Sequence, residues 1–146
     1  MAALSNYLEN KLIDQLFRGQ AYSFPSTLYI GLLTSAPSDT GGGTEVSGGS
    51  YARLAVTCSL ANWAGTQAAN STVASSGTSG TTSNNNILEW ADPTADWGTI
   101  SHFGIYDAST SGNLLIWGAM TTARLVANGD SAPQIPVSQL QIQLDN

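Results

Sequence analysis

The chain has 146 residues, which is enough for one domain with a hydrophobic core and too few for two ordinary domains. Only 10% of the residues are charged, the formal net charge is -6, and the sequence pI is about 4.2. The cations are Lys11, Arg18, Arg53 and Arg124 alone, so almost no counter-charge is available for a phosphate backbone and nucleic acid is excluded as a partner.

The low charge density also indicates how much of the surface is exposed to solvent. Isolated proteins rely on charge to stay apart, so we expect neighbouring molecules to cover much of this one. The single Cys58 excludes an internal disulfide. No segment approaches the roughly 18 apolar residues of a membrane-spanning helix, and the N-terminus lacks a signal-peptide layout. We therefore expect no membrane partner and assembly in a cytoplasm.

The predicted organisation is a single domain over residues 1–146. Its segments are a helix at 5–18, the first strands within 26–60, a Ser/Thr/Asn-rich excursion at 65–86 and the remaining strands within 87–144.

The first predicted element is an amphipathic α-helix, because apolar residues recur at spacings of three and four. Ser5 can cap its start, and Gly19 can adopt the left-handed conformation that ends it. We expect its apolar face to pack on the protein's own core, which we favour, or to dock on a partner. The residues expected at this packing or interface position are Leu8, Leu12, Leu16 and Phe17.

After the helix, the spacing of the apolar residues changes from a period of about 3.6 residues, typical of an α-helix, to a period of 2, typical of a strand. Residues 26–34 are predicted to be a buried central strand, because both of its faces are apolar. Residues 34–50 are rich in glycine and predict a loop. Residues 51–60 alternate cleanly and predict a further strand, with Cys58 on its apolar face.

The second half of the chain alternates short strands with turns. Residues 65–86 are polar and predict either an exposed excursion or a weak hairpin. Further strands are predicted at 87–90, 97–106, 114–120, 121–126 and 137–144, with a hairpin loop at 107–113. The pattern predicts a mainly β fold: a β-sandwich or barrel of about seven or eight short strands with an N-terminal amphipathic α-helix.

The residues that could support catalysis or metal binding are few. His102 is the only histidine and lies within a predicted strand, so we favour a structural role for it. Cys58 is expected in the core. Asp92 and Asp96, near Glu89, could bind Ca²⁺, but we favour an Asp-Pro turn at Asp92. We therefore predict no catalytic residues, no metal site and no cofactor.

The aromatic residues allow two interpretations. Six of them could form a sugar-stacking platform: Trp63, Trp90, Trp97, Trp117, Tyr51 and Tyr106. Tryptophan is also used in cores and subunit contacts, and the amides and acids that orient sugars do not cluster in the sequence. We favour core or interface positions, in particular for Trp90 and Trp97.

Three stretches carry motifs in a characteristic order. They are LSNYLENKLIDQLFRG at 4–19, LYIGLLTSAP at 28–37 with TEVSGGSYAR at 44–53, and WGTISHFGIYD at 97–107 with GNLLIWG at 112–118. Together they resemble a family of small virion structural proteins of tailed bacteriophages, often labelled tail fibre proteins. The resemblance implies a virion location after assembly in the host cytoplasm, and it allows a head decoration (cement) protein equally. No catalytic residues come with it.

Composition and resemblance together favour a non-enzymatic structural protein of a tailed phage virion. We expect it to self-associate, with a trimer as the predicted state, and to dock on a repeated capsid or tail lattice of major capsid or tail proteins. The alternative is a receptor-binding module that recognises host surface glycans through loops 34–50 and 65–86. A third class, a depolymerase enzyme, would need His102, Asp92 or Asp96, and we predict no turnover.

Overall fold

The computed structural model describes residues 2–144 and shows a mainly β protein with one N-terminal helix, which confirms the predicted class. The elements are β1 (Ala3–Leu4), α1 (Asn6–Phe17), β2 (Thr27–Leu33), β3 (Leu54–Thr57), β4 (Thr81–Ser83), β5 (Leu88–Glu89), β6 (Gly98–Tyr106), β7 (Leu114–Val126), β8 (Gln134–Ile135) and β9 (Gln141–Gln143). The prediction of a single domain over residues 1–146 stays a prediction, and residues 1, 145 and 146 lie outside the described part. Within the described chain, no helix combines the length and apolarity needed to cross a membrane.

Helix α1 begins and ends where the sequence predicts, to within a residue. Ser5 has an extended backbone, and its hydroxyl accepts a hydrogen bond from the Leu8 amide, so it is the N-cap. Arg18 is the C-cap, and Gly19 follows with a φ of 66°, the left-handed conformation that glycine adopts without strain. The Ser5 amide also donates to the Leu115 carbonyl, which ties the start of the helix to β7.

The main sheet is antiparallel and has five strands in the order β1-β7-β6-β2-β3. Strand β2 lies near its centre, as its two apolar faces predict. Ile30 pairs with Ile105 and Leu32 with Phe103, so alternate residues of β2 and β6 point to the same face. Two further sheets, β4-β9 and β5-β8, have two strands each.

The core lies between one face of the main sheet and the two small sheets. Ile30 and Ile105 belong to the same buried cluster as Leu88 of β5, Ile135 of β8 and Ile142 of β9. Strands that are only two or three residues long contribute little backbone pairing of their own. Their burial against the main sheet therefore holds them in place.

The predicted strand at 51–60 is shorter than expected, because only residues 54–57 pair with β2. After Thr57 the chain turns, with the Asn62 and Trp63 amides donating to the Ser59 carbonyl. Cys58 therefore lies at the turn and is exposed, and the prediction that it is a core residue is wrong. Partial burial of the thiol nevertheless raises the pKa of Cys58.

The polar segment 65–86 is an exposed excursion for most of its length. Its last residues form β4, which pairs with β9 at the far end of the chain and not within a local hairpin. The adjoining Asn84 has no exposed surface. Its amide group donates to the Asn86 and Pro136 carbonyls, and its side-chain oxygen accepts from the Leu140 amide. Asn84 thus joins the excursion to the segment before β9.

Strand β7 combines the two strands that were predicted separately at 114–120 and 121–126, and it contains a large bulge. Arg124 pairs with Ile100 and Ala119 pairs with His102, so residues 120–123 stand opposite Ser101 alone. On the other side of β7, strand β1 pairs only with Ile116 and Trp117. The bulged residues therefore protrude from the sheet.

Candidate functional site

The end of helix α1 carries exposed apolar side chains. Leu8 is buried at the start of the helix, and Leu12 is half-buried. Ile13, Leu16 and Phe17 are 48%, 72% and 81% exposed, and their spacing of three and four places them on one side of the helix. We call these three residues the helix-end patch. Packing on the protein's own core, favoured from the sequence, therefore does not describe the last turn of α1.

The segment after the helix folds back beside it. The Tyr22 amide donates to the Gln15 side chain at 2.7 Å. The Tyr22 ring makes edge contacts with Tyr7 at 6.3 Å and with Phe24 at 4.8 Å between ring centroids. These contacts fix one side of α1 to the protein and leave the helix-end patch without a partner among the described residues.

None of the six aromatic residues considered for a sugar-stacking platform is exposed, since Trp63, Trp117 and Tyr51 are half-buried and the other three are buried. Trp90 and Trp97 are only 4% and 5% exposed, and Tyr106 is buried as well. The Trp97 ring nitrogen donates to the Gly49 carbonyl at 2.9 Å, and its ring meets Tyr51 edge-on at 5.3 Å. Trp90 and Trp97 are thus placed in the core, where their large apolar surfaces pack; whether either also contributes to an interface stays a prediction.

A charged cluster covers the other face of the main sheet. Arg53 binds both carboxylate oxygens of Glu45, each at 2.8 Å, and its guanidinium stacks on the Tyr106 ring at 3.5 Å. Arg53 also donates to the Ala108 and Ser111 carbonyls of the β6–β7 hairpin loop. One side chain therefore joins the loop at 34–50 to the hairpin loop.

Tyr51 completes this cluster. Its hydroxyl accepts from the Leu32 amide and donates to Glu45, each at 2.9 Å. Burial raises the pKa of Tyr51 well above its usual range, and the neighbouring Glu45 carboxylate adds to the effect. Burial lowers the pKa of Arg53, but the hydrogen bonds and charge of Glu45 outweigh it and the net direction is upward. The cluster is saturated with internal partners, so we assign it a structural role.

A second candidate region is a groove of about 780 Å³ between the β7 bulge and the small sheets. Its lining is rich in amides and hydroxyls, and none of the described residues that line it is charged. The polar lining residues are Thr81, Thr121, Thr122, Gln134, Gln139, Gln141 and Gln143. Phe103, Ile135 and Leu140 contribute apolar surface. We call this region the amide groove.

The residues considered for catalysis make ordinary structural contacts. The Ser101 hydroxyl lies 2.8 Å from Nδ1 of His102, its neighbour in the chain. Asp92 accepts from the Ala132 amide and Asp96 from the Asn128 amide, so both carboxylates hold turns together. Among residues 2–144, no three His, Cys, Asp or Glu side chains come together as a metal site.

Sequence reasoning missed the two regions that depend on long-range contacts. Gln139, Gln141 and Gln143 alternate with apolar residues along the chain, but nothing local in the sequence shows that the threonines of the β7 bulge lie opposite them. Arg53 was visible only as one of four cations, because its partners lie up to 58 positions along the chain.

The fold and these regions define a small, mainly β protein whose described surface includes an apolar helix end and an uncharged groove, features that are typical of an assembly or binding protein. A family model described as podophage GP4 fiber I protein gp80 matches residues 3–143. The match spans nearly the whole chain, so the protein belongs to this family of phage fibre structural proteins and is a virion component. The resemblance seen in the sequence is thereby confirmed. A comparison with curated proteins finds no match.

Proposed function

We propose that this protein is a non-enzymatic fibre subunit that self-associates through its helix-end patch and docks on other virion proteins. The observation that carries the proposal is the exposure of Leu16 and Phe17, at 72% and 81%. Full burial of such a side chain contributes about 1.5–3 kcal/mol, so an interface that covers this patch gains several kcal/mol per copy. We propose assembly in the host cytoplasm and a trimer as the assembled state.

The composition supports an assembled state. With 10% charged residues, the surface offers few of the charges that keep soluble monomers apart. An apolar helix end on such a surface is a typical contact site for another protein. The rest of the virion supplies large repeated surfaces, and we propose that the oligomer docks on a capsid or tail lattice.

A second copy of the chain is the occupant that fits the helix-end patch. The same helix end carries Asp14 and Arg18, which pair with each other at 3.1 Å on the surface. Because one helix end offers both an acid and a base beside its apolar residues, it is complementary in charge to another copy of itself.

The test is the mass of the protein in solution. Sedimentation of the wild-type protein should show a defined oligomer, and Leu16→Ser with Phe17→Ser should shift it to monomer at the same concentration. The matched control is Leu60→Ser with Val73→Ser, which removes apolar residues of 54% and 61% exposure outside the helix. The control should keep the oligomer. A wild-type monomer, or equal dissociation of both variants, would reject the proposal.

Recognition of host surface glycans is the second candidate function, because the amide groove brings the glutamines of the last segment together with the threonines of the β7 bulge. The predicted role of loops 34–50 and 65–86 in that recognition stays a prediction. An enzymatic role has less support, since His102 and the acids at 92 and 96 serve internal hydrogen bonds.

A further inference from the structure

The amide groove has two walls of different origin. One wall is the β7 bulge, from which Thr121 and Thr122 protrude. The other wall carries Gln139, Gln141 and Gln143 from the last segment of the described chain. Bulges of this kind commonly re-aim side chains beside binding sites. Here the bulge places hydroxyls opposite a row of amides.

The amides of the second wall are available to a ligand. All three glutamines are exposed, and only the Gln141 amide has a partner, the Ser138 carbonyl at 3.3 Å. Across residues 2–144 the Gln139 and Gln143 side chains make no hydrogen bond. A side-chain amide both donates and accepts, so it can bind adjacent hydroxyl groups that do the same.

The groove also has the size and the apolar surface that a saccharide needs. Its volume of about 780 Å³ lies within the range of small-molecule sites, roughly 300–1,000 Å³. Pro136 is exposed and Met120 is half-buried, so these two lining residues offer apolar surface that suits the C–H faces of sugar rings. The absence of charged groups among the described lining residues selects against acidic sugars, and the net charge of -6 disfavours them further.

Resting on the second candidate function, recognition of host surface glycans, we propose that the amide groove binds a neutral oligosaccharide, with Gln139, Gln143, Thr121 and Thr122 as its hydrogen-bonding groups. A polypeptide strand is the other occupant to weigh. A strand needs a regular edge of backbone groups, and the bulge at residues 120–123 interrupts the edge of β7 that borders the groove. The side-chain chemistry therefore favours the saccharide.

The test uses a printed array of oligosaccharides that contains neutral hexose and N-acetylhexosamine chains together with sialylated and uronic-acid chains. The wild-type protein should bind neutral members saturably and leave the acidic ones unbound. Gln143→Ala with Thr122→Val should weaken that binding about tenfold or more, which corresponds to the loss of one or two hydrogen bonds. The matched control, Gln20→Ala with Thr57→Val, changes exposed residues of the same types away from the groove and should bind as the wild type does.

The outcomes separate this proposal from self-association. The groove variant should retain the wild-type sedimentation pattern, whereas the helix-end variant should retain intrinsic glycan affinity as a monomer. Binding of acidic chains in preference to neutral ones, equal binding by the groove variant and its control, or no binding to any chain would overturn the proposal. Protection of residues 120–123 from hydrogen exchange on self-association, without glycan binding, would assign the groove to a polypeptide strand and overturn it as well.

Discussion

Arg53 and Glu45 form a two-pronged ion pair, with Nε to Oε1 and Nη2 to Oε2 both at 2.8 Å. The Arg53 side chain is 8% exposed and that of Glu45 is 24% exposed, so water does little to weaken the pair. The same guanidinium stacks on Tyr106 and binds two carbonyls of the hairpin loop. This single side chain therefore joins two loops that are distant in sequence.

Replacement of Arg53 by Met should lower the free energy of unfolding by about 3 kcal/mol, because Glu45 and the two loop carbonyls lose their partner in a partly buried position. Arg53→Lys should recover only part of this loss, because an ammonium group cannot bind both carboxylate oxygens in the same planar geometry. Urea denaturation measures the change. Arg124→Met, on the exposed part of β7, is the control and should change stability by less than about 0.5 kcal/mol. A similar loss in both variants would show that the Arg53 contacts contribute little.

The buried Tyr51 hydroxyl predicts a loss of stability at alkaline pH. Burial is the main reason that the pKa of Tyr51 lies above its ordinary value of 10.0 in the folded protein, so the unfolded chain loses this proton first. The Tyr51 contribution is therefore complete below about pH 10 and falls as the pH rises further. Burial raises the pKa of Tyr106 in the same direction.

Denaturation curves at a series of pH values should show this fall, and Tyr51→Phe should make it less steep. The variant should also be about 1 kcal/mol less stable at neutral pH, because the Leu32 amide and Glu45 lose a hydrogen-bond partner. An identical alkaline slope in the variant and the wild type would contradict the role of Tyr51.

Asn84 should be one of the most sensitive polar positions in the chain. Asn84→Ala removes three hydrogen bonds from a site without exposed surface, so we expect a loss of about 2–4 kcal/mol in the free energy of unfolding. Asn84→Asp should be at least as damaging, because a carboxylate cannot donate to the Asn86 and Pro136 carbonyls. Thermal denaturation compares these variants with Asn86→Ala, an exposed position where we expect a loss below about 1 kcal/mol. Equal losses at both positions would contradict this account of Asn84.

Elements with a clear period could be predicted from the sequence alone. The helix at 5–18, the strand at 26–34 and the hairpin strands around 107–113 all match the structure closely, because their apolar residues repeat at 3.6 or 2 and capping or turn residues mark their ends. The strand predicted at 51–60 was longer than the observed strand for a physical reason. Alternation continues to Leu60, but the partner strand β2 begins at Thr27, opposite Thr57, and pairing stops there.

The candidate sites were less predictable, since they depend on contacts between distant segments. Leu16 and Phe17 of the helix-end patch were predicted to lie on an apolar face, but only the packing of Tyr7 and Tyr22 shows which side of α1 is covered. The amide groove depends on the register shift between Ile100 and His102, and no local pattern in the sequence predicts that shift. Sequence periodicity identifies faces, and the tertiary structure decides which of them stay open.

A cryo-electron microscopy map of intact virions, at a resolution that shows side chains, would decide whether this phage fibre subunit assembles through the exposed end of α1. We expect Leu16 and Phe17 of each copy to be buried against another copy of the same chain within the fibre. A map in which the end of α1 faces solvent in every copy would contradict this expectation.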